Sequence, residues 1–350
     1  MSNRRQFLAT SAAVATGAAI APLITTSAQA SSSSIRKPPR LQPGDAVGLI
    51  SPARAAFETD DVNIVIEAMQ GLGLVPKLGE HIYDRYGYLG GHDRDRAADI
   101  NAFFADPTIK ALIPIQGGWG CSRLLPYLDY ELIAQNPKII IGFSDISSLI
   151  WGINAQSHIV TFHGPNGLAS WRTEETNYFR RVLFDGDMLS FQSGRTDTDS
   201  DRLMQVEGRI QTITPGVARG RLVGGNLSVL SGITGSPYVP NLEGAILFLE
   251  DVGEYIYRID RMITQLKLAG WFDQLAGFIF GQCSDCGPDP DYGSLTLMDV
   301  LRDHIEPLGI PAWSGAMIGH LEPVLTLPIG AEVEIDASTG RLQMLEAAVQ

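Results

Sequence analysis

Residues 139–146 read Ile-Ile-Ile-Gly-Phe-Ser-Asp-Ile, and this stretch decides the class of fold. The apolar run has the length of a buried strand, and apolar residues continue with helical character from Ile146 to about Ala155. A strand that passes through a tight turn into a helix is typical of sheets in which helices connect parallel strands. The stretch therefore predicts a mainly parallel sheet that is covered by helices.

The same alternation of strands and helices extends in both directions from this stretch. The other predicted elements of this half are strands at 46–50, 109–115 and 159–162 and helices at 60–72, 93–104 and 122–128. Together they predict an N-terminal α/β domain of the Rossmann or flavodoxin-like type, within residues 41–186.

The composition changes after this domain. Residues 192–201 are polar and lack an apolar period, which predicts a linker at 187–205. Strands are predicted beyond it at 206–213, 218–223, 245–249, 277–280 and 332–335, with helices at 256–268 and 295–305. Residues 206–350 are therefore expected to form a C-terminal, strand-rich α/β domain.

The first thirty residues have the features of an export signal. Arg4-Arg5 precedes an apolar run from Ala9 to Ile24, and Ala28-Gln29-Ala30 fits a small-residue cleavage site. The arginine pair indicates the twin-arginine type, and residues 31–40 are expected to be a flexible tether. The alternative is an uncleaved membrane anchor, but the run is short and rich in Ala, Gly and Thr. We expect an exported, periplasmic protein with no stable membrane association after cleavage.

Charge and cysteine content narrow the classes of partner. The 350 residues carry 26 basic and 39 acidic side chains, a net charge of −13, which disfavours binding to nucleic acid. The pair Cys283 and Cys286 has the spacing of a metal motif, but a single such pair is weak support for zinc. Unpaired thiols and a local disulfide both remain open, and we expect neither metal nor cofactor.

Two turns that follow strands are candidates for chemistry. Ser144 stands where a nucleophile elbow would hold a serine, although the pattern Gly-x-Ser-x-Gly fails at Ile146 and a helix-capping serine is the alternative. The glycines of Gln116–Gly120 allow backbone amides to approach a ligand, as in an oxyanion hole. Their alternative role is to permit tight packing of a strand against a helix.

A general base and its partner can be sought among the residues that end apolar segments. His163 and His320 both follow such segments at glycine-rich turns. Glu250 ends the run 245–249 and could orient a histidine. Its neighbour Asp251 would point to the opposite side of a strand, which argues against a pair of glycosidase carboxylates.

Seven motifs, spread in order over nearly all of residues 40–340, together resemble a known family. They are Gly-Gly-Trp-Gly-x-x-Arg-Leu-Leu at 117–125, Gly-Phe-Ser-Asp at 142–145, Thr-Phe-His-Gly-Pro at 161–165, Gly-Gly-Asn-Leu at 224–227, Leu-Glu-Asp at 249–251, Tyr-Arg-Ile-Asp-Arg-Met at 257–262 and Gly-His at 319–320. This series is similar to that of the LD-carboxypeptidases, also called muramoyltetrapeptide carboxypeptidases.

The resemblance implies a role for each matching residue. Ser144 would be the nucleophile, Glu250 would orient the base and His320 would be that base. The backbone amides of Gly118 and Asp145 would form the oxyanion hole. It also implies a site between the two domains, a homodimer, and a small muropeptide substrate from which the enzyme releases terminal D-Ala at an L,D-amide bond.

One departure from the family pattern affects the expected substrate contacts. Gln116 stands where family members commonly have arginine before the glycine pair. Gln116, Gly117, Arg123 and His163 are the predicted substrate-binding residues, with Arg123 the candidate cation for a substrate carboxylate. Two alternatives stay open: a microcin-immunity-like peptidase acting on a peptidyl-nucleotide or another small amide, and a binding protein with an inactive site.

Overall fold

The computed structural model describes residues 35–192, 203–205, 208–290 and 293–350. The predicted signal peptide, residues 31–34 of the predicted tether and residues 193–202 of the predicted linker lie outside the described residues. Within the described ranges, no helix has both the length and the apolar character needed to cross a membrane.

The first sheet has six strands, five of which come from the first half of the chain. They are β1 (Ala46–Ile50), β2 (Val75–Leu78), β3 (Ile109–Pro114), β4 (Ile139–Gly142), β5 (Thr161–His163) and β12 (Leu327–Ile329). Their order is β2-β1-β3-β4-β5-β12, and only β12 runs antiparallel to its neighbour. The order of the first five is that of flavodoxin-like sheets, so the predicted N-terminal α/β fold is confirmed.

Helices connect these parallel strands and supply part of the core. They are α1 (Thr59–Gly71), α2 (Asp93–Ala105), a 3₁₀ helix at Cys121–Tyr127, α3 (Tyr130–Gln135), α4 (Ile146–Ser157) and α5 (Thr173–Arg180), which continues as a π-helical turn at Arg181–Asp185. Every residue of β4 is buried, as expected for a central strand of a parallel sheet that is covered on both faces.

The second sheet has eight strands and a mixed pattern of pairing. They are β6 (Ser190–Gln192), β7 (Gln211–Thr214), β8 (Val217–Asn226), β9 (Ile246–Val252), β10 (Gly277–Ser284), β11 (Ala312–Ser314), β13 (Glu332–Asp336) and β14 (Arg341–Met344). Strands β8 to β11 are parallel, and the outer strands pair antiparallel to them and to each other. Helices α6 (Leu227–Ser231), α7 (Ile256–Leu268) and α8 (Leu297–Ile305) complete this half. The predicted strand-rich α/β half is therefore confirmed.

The positions of two strands differ from the predicted division into domains. Ser190–Gln192, in the predicted linker, forms β6 because its backbone pairs with β14 and Phe191 is buried. Leu327–Ile329, in the predicted C-terminal domain, completes the first sheet by pairing with β5. The exact limits of the domains stay a prediction.

Helix α4 is fixed to the second sheet by two buried hydrogen bonds. The Trp151 Nε1 donates to the carbonyl oxygen of Gly224 at 2.8 Å, and the Asn226 amide donates to Ser147 Oγ at 3.0 Å. A side chain on Gly225 would lie 2.5 Å from Ser147 Oγ, so only glycine permits this close approach. The Gly-Gly-Asn segment at 224–226 therefore holds α4, the helix that follows Ser144, close to β8.

The cysteine pair forms a local crosslink. Cys283 and Cys286 are joined by a disulfide at the end of β10, which decides between the two alternatives left open by the sequence. Among the described residues, Cys121 is a free, buried thiol.

Candidate active site

Ser144 lies on a sharp turn between β4 and α4. Its φ angle is +62°, in the left-handed region that side-chain-bearing residues rarely adopt. A side chain on Gly142 would lie 2.6 Å from Ile146 Cγ2, so the turn needs glycine there. The buried Asn166, which no sequence motif marks, accepts a hydrogen bond from the Phe143 amide at 3.2 Å. This strained turn lifts the serine out of the sheet in the manner of a nucleophile elbow.

Ser144, His320 and Glu250 form one hydrogen-bonded chain. His320 Nε2 lies 3.0 Å from Ser144 Oγ, and His320 Nδ1 lies 2.7 Å from Glu250 Oε2. The three residues are separated by up to 176 positions in sequence, and both sheets contribute to bringing them together. The chain has the connectivity of a serine–histidine–carboxylate triad.

The two adjacent carboxylates on β9 have different partners. Glu250 is fully buried and contacts His320, whereas Asp251 accepts hydrogen bonds from Asn226 Nδ2 and the Ser228 amide. Burial raises the pKa of Asp251 to about 6. Glu250 thus belongs to the site, and Asp251 supports the start of α6.

The backbone around His320 is held in place from two sides. Ser284 Oγ, at the end of β10, donates to the His320 carbonyl oxygen at 2.9 Å. Gly319 has a φ of +136°, and a side chain there would lie 3.1 Å from Glu250 Oε2. The glycine therefore gives the histidine room to approach its carboxylate.

The charge of Glu250 controls the ionisation of His320. Burial disfavours the imidazolium form, but the hydrogen bond to Glu250 and its negative charge outweigh this effect. As a result, the pKa of His320 is raised above its ordinary value of 6.5.

The glycine loop after β3 lies directly against Ser144. A side chain on Gly117 would come within 3.0 Å of Ser144 Cβ. Asp145 Oδ2 accepts a hydrogen bond from the Cys121 amide at 2.8 Å, which ties the loop to the serine turn. In the described part of the chain, nothing accepts a hydrogen bond from the amides of Gly118 and Asp145. Both donors are therefore available for an oxyanion.

The predicted substrate-binding side chains are mostly engaged elsewhere. Gln116 is buried and contacts Arg54 and Ala55 through its amide group. Arg123 is half-exposed, and its guanidinium binds both carboxylate oxygens of Asp93 at 2.9–3.0 Å. Neither side chain is free to bind a substrate as predicted, because each is held by residues distant in the sequence.

His163 is buried beside the triad instead of being open to substrate. Its side chain is 1% exposed, and its ring packs against Phe143 and Phe248. Among the described residues, neither ring nitrogen has a hydrogen-bond partner, and burial lowers the pKa of His163 to about 4. The expected substrate contact is therefore replaced by packing of a neutral histidine.

One cluster has the composition of a metal site. Among the described residues, His81, Asp84 and Asp95 offer ligand atoms within 4.8 Å of one another. His81 Nδ1 already contacts Asp84 at 2.8 Å, and no triad residue belongs to the cluster. The triad itself consists of groups suited to nucleophilic and acid–base chemistry.

Comparisons with known proteins find family models that match both halves of the chain. Residues 47–164 match the family model described as the LD-carboxypeptidase N-terminal domain, and residues 219–335 match that of the C-terminal domain. The probable murein peptide carboxypeptidase of Bacillus subtilis is 34% identical over 89% of this chain and 95% of its own length. The murein tetrapeptide carboxypeptidase of Pseudomonas aeruginosa is 34% identical over 80% of this chain and 89% of its own.

A third relative carries a different name. The microcin C7 self-immunity protein MccF of Escherichia coli is 30% identical over 87% of this chain and 94% of its own. A structure of MccF in complex with glutamyl sulfamoyl guanosine aligns with a TM-score of 0.79 and 27% identity, covering 90% of this chain and 99% of that one.

Proposed function

This chain belongs to the LD-carboxypeptidase family of peptidases, and on that premise we propose that it is a serine carboxypeptidase acting on murein tetrapeptide. It would hydrolyse the L,D-amide bond and release terminal D-Ala. One observation carries the proposal: the hydrogen-bonded chain from the strained Ser144 through His320 to Glu250.

Each group has a defined step in the reaction. His320 Nε2 accepts the hydroxyl proton while Ser144 Oγ attacks the carbonyl carbon of the scissile amide. Glu250 accepts a hydrogen bond from His320 Nδ1 and stabilises the imidazolium that forms. The amides of Gly118 and Asp145 donate to the oxyanion of the tetrahedral intermediate.

Collapse of the intermediate releases the product amine. His320 returns its proton to the leaving nitrogen, D-Ala departs and the remaining peptide stays as an ester on Ser144. A water molecule, deprotonated by His320, attacks this ester through a second tetrahedral intermediate. The tripeptide is then released, and the serine recovers its proton. The proposed steps require no metal or cofactor.

A second candidate is hydrolysis of a peptidyl-nucleotide. The fold similarity to MccF, whose structure holds glutamyl sulfamoyl guanosine, favours it. The same triad would serve both reactions, so the difference lies in what the enzyme binds beyond the scissile amide. A catalytically inactive binding protein is less compatible with a complete hydrogen-bonded triad.

A side-by-side assay separates these candidates. We expect the purified protein to release D-Ala from the murein tetrapeptide faster than it cleaves the D,D-pentapeptide precursor or a peptidyl-nucleotide. The measurement is kcat/KM for each compound by mass spectrometry, with His320→Ala protein as the blank. Higher kcat/KM for either of the other compounds would replace the tetrapeptide assignment while leaving the triad intact.

We also propose export through the twin-arginine route, supported by Arg4-Arg5 and the apolar run behind it. Replacing both arginines with lysine is expected to retain the full-length protein in the cytoplasm. Fractionation of cells followed by intact-mass analysis measures this. Unchanged export of the double variant would exclude the route.

The homodimer also stays a prediction.

A further inference from the structure

We propose that Arg54 is the cation that binds the terminal carboxylate of the substrate and that Gln116 positions it. The inference rests on the proposed carboxypeptidase function, because only an enzyme that acts at a chain end needs a partner for that carboxylate. A charge-assisted hydrogen bond to arginine is the natural form of this recognition. In a chain of net charge −13, such a cation has to lie at the site itself.

The position of Arg54 in the sheet places it beside the reaction. Arg54 follows β1, Gln116 follows β3 and Ser144 follows β4. In a sheet of order β2-β1-β3-β4-β5, ligands bind in the crevice beyond the ends of β1 and β3. Neighbouring strands lie about 4.8 Å apart. Gln116 therefore lies at the end of the strand next to the one that leads to the nucleophile.

Two neighbouring residues of the glycine loop, Gly117 and Gly118, lie in space between Ser144 and Arg54. A side chain on Gly117 would lie 3.0 Å from Ser144 Cβ, and one on Gly118 would lie 2.5 Å from Arg54 Cβ. Arg54 and Ser144 therefore pack against adjacent glycines of the same loop. One peptide residue spans about 3.5 Å, so a terminal residue lying along this loop would direct its carbonyl to Ser144 and its carboxylate towards Arg54.

Gln116 has the contacts of a positioning residue. Its Nε2 donates to the Ala55 carbonyl oxygen at 2.9 Å, and its Oε1 accepts a hydrogen bond from Arg54 Nη2. Both ends of the buried amide are thus fixed, with the oxygen directed at the guanidinium. Because this oxygen is uncharged, it orients Arg54 without neutralising the charge that a substrate carboxylate would meet.

Arg54 differs from the two other arginines near the glycine loop. Arg96 and Arg123 both bind the carboxylate of Asp93. Within the described ranges, Arg54 has no carboxylate partner, and Gln116 is its one hydrogen-bond partner. Its side chain is half-buried, and its backbone is held by a bridge to Leu89. Arg54 is therefore a pre-positioned cation whose remaining donors are unused.

The test compares substrates with a free and an amidated terminal carboxyl group. Arg54→Gln is expected to lower kcat/KM for the acid about 10–100-fold, mainly through KM, and to leave kcat/KM for the amide nearly unchanged. Arg54→Lys should recover part of the preference for the acid. Gln116→Leu should reduce the same preference less than Arg54→Gln, because it frees the guanidinium without removing it.

Arg123→Gln is the matched control, since it removes a neighbouring arginine that is already paired. It should keep the wild-type ratio of acid to amide. The assay uses the compound that the wild type hydrolyses best among those in the substrate panel that end in a carboxyl group. A wrong tetrapeptide assignment would therefore be seen in the wild type alone, before any variant is compared. A folded Arg54→Gln protein that keeps the full wild-type preference for the acid would overturn the proposal.

Discussion

Ser144→Ala and His320→Ala are each expected to lower turnover by about 10³–10⁶-fold while the protein stays folded. Alanine at 144 would remove the proposed nucleophile, and alanine at 320 would remove the proposed base, whose Nε2 lies 3.0 Å from Ser144 Oγ. The double variant should be no slower than the slower single variant, because the two side chains act in one step. Turnover is measured as D-Ala release, and folding as Tm.

The chain offers a matched control for the histidine. His304 Nε2 contacts Asp260 Oδ1 at 2.7 Å, so it is also a histidine paired with a carboxylate, but on α8 and α7. His304→Ala should keep turnover within a few-fold of the wild type. Near-normal turnover in folded Ser144→Ala protein would end the triad assignment.

Glu250→Gln is expected to lower turnover by about 10²–10⁴-fold, somewhat less than loss of the serine. The variant keeps the size of the side chain but removes the negative charge that stabilises the imidazolium. It also changes the pH profile, because burial lowers the pKa of His320 and Glu250 makes the larger of the two opposing contributions, the smaller coming from the charge of Asp251. Catalysis needs neutral His320, so activity falls as the pH drops through that pKa.

The acid limb of kcat/KM should therefore lie above pH 6.5 in the wild type and move to lower pH in Glu250→Gln. Two other buried groups near His320 titrate: Asp251, with a pKa of about 6, and His163, with a pKa of about 4. Asp251→Asn is the matched control, because Asp251 raises the pKa of His320 through its charge alone and less than Glu250 does, while its hydrogen bonds go to Asn226 and Ser228. The acid limb should therefore move less in Asp251→Asn than in Glu250→Gln. If the acid limb moved in Asp251→Asn but not in Glu250→Gln, then Asp251 and not Glu250 would set the pKa of His320. The proposed role of Glu250 would then be wrong.

The central strands of the first sheet were predictable because their signal is local. Strands β1, β3 and β4 are short apolar runs that end at turn residues, and their side chains are almost all buried. Strand β2 reads Val-Pro-Lys-Leu and is mostly exposed, so neither apolar content nor alternation marked it. Strand β12 exists because its three residues pair with β5, which lies about 165 positions earlier in the chain.

The backbone part of the site was also predictable, whereas side-chain contacts were not. A serine after a strand and a glycine, a glycine-rich turn and a histidine after a glycine all follow from local sequence. Whether Arg123 is free or bound to Asp93 depends on a residue thirty positions away. Arg54 lies in none of the seven sequence motifs. Its signal was only that a cation follows β1, next to the strand that leads into the glycine loop.

Covalent labelling with a serine-directed fluorophosphonate tests whether Ser144 is the nucleophile. The protein is treated with the reagent, its residual hydrolysis of the preferred substrate is measured, and the modified residue is found by peptide mass mapping. We expect loss of activity in proportion to one adduct per chain, located at Ser144, and no adduct in Ser144→Ala protein. Full modification of Ser144 with undiminished hydrolysis, or inactivation with the adduct on another residue, would exclude Ser144 as the nucleophile.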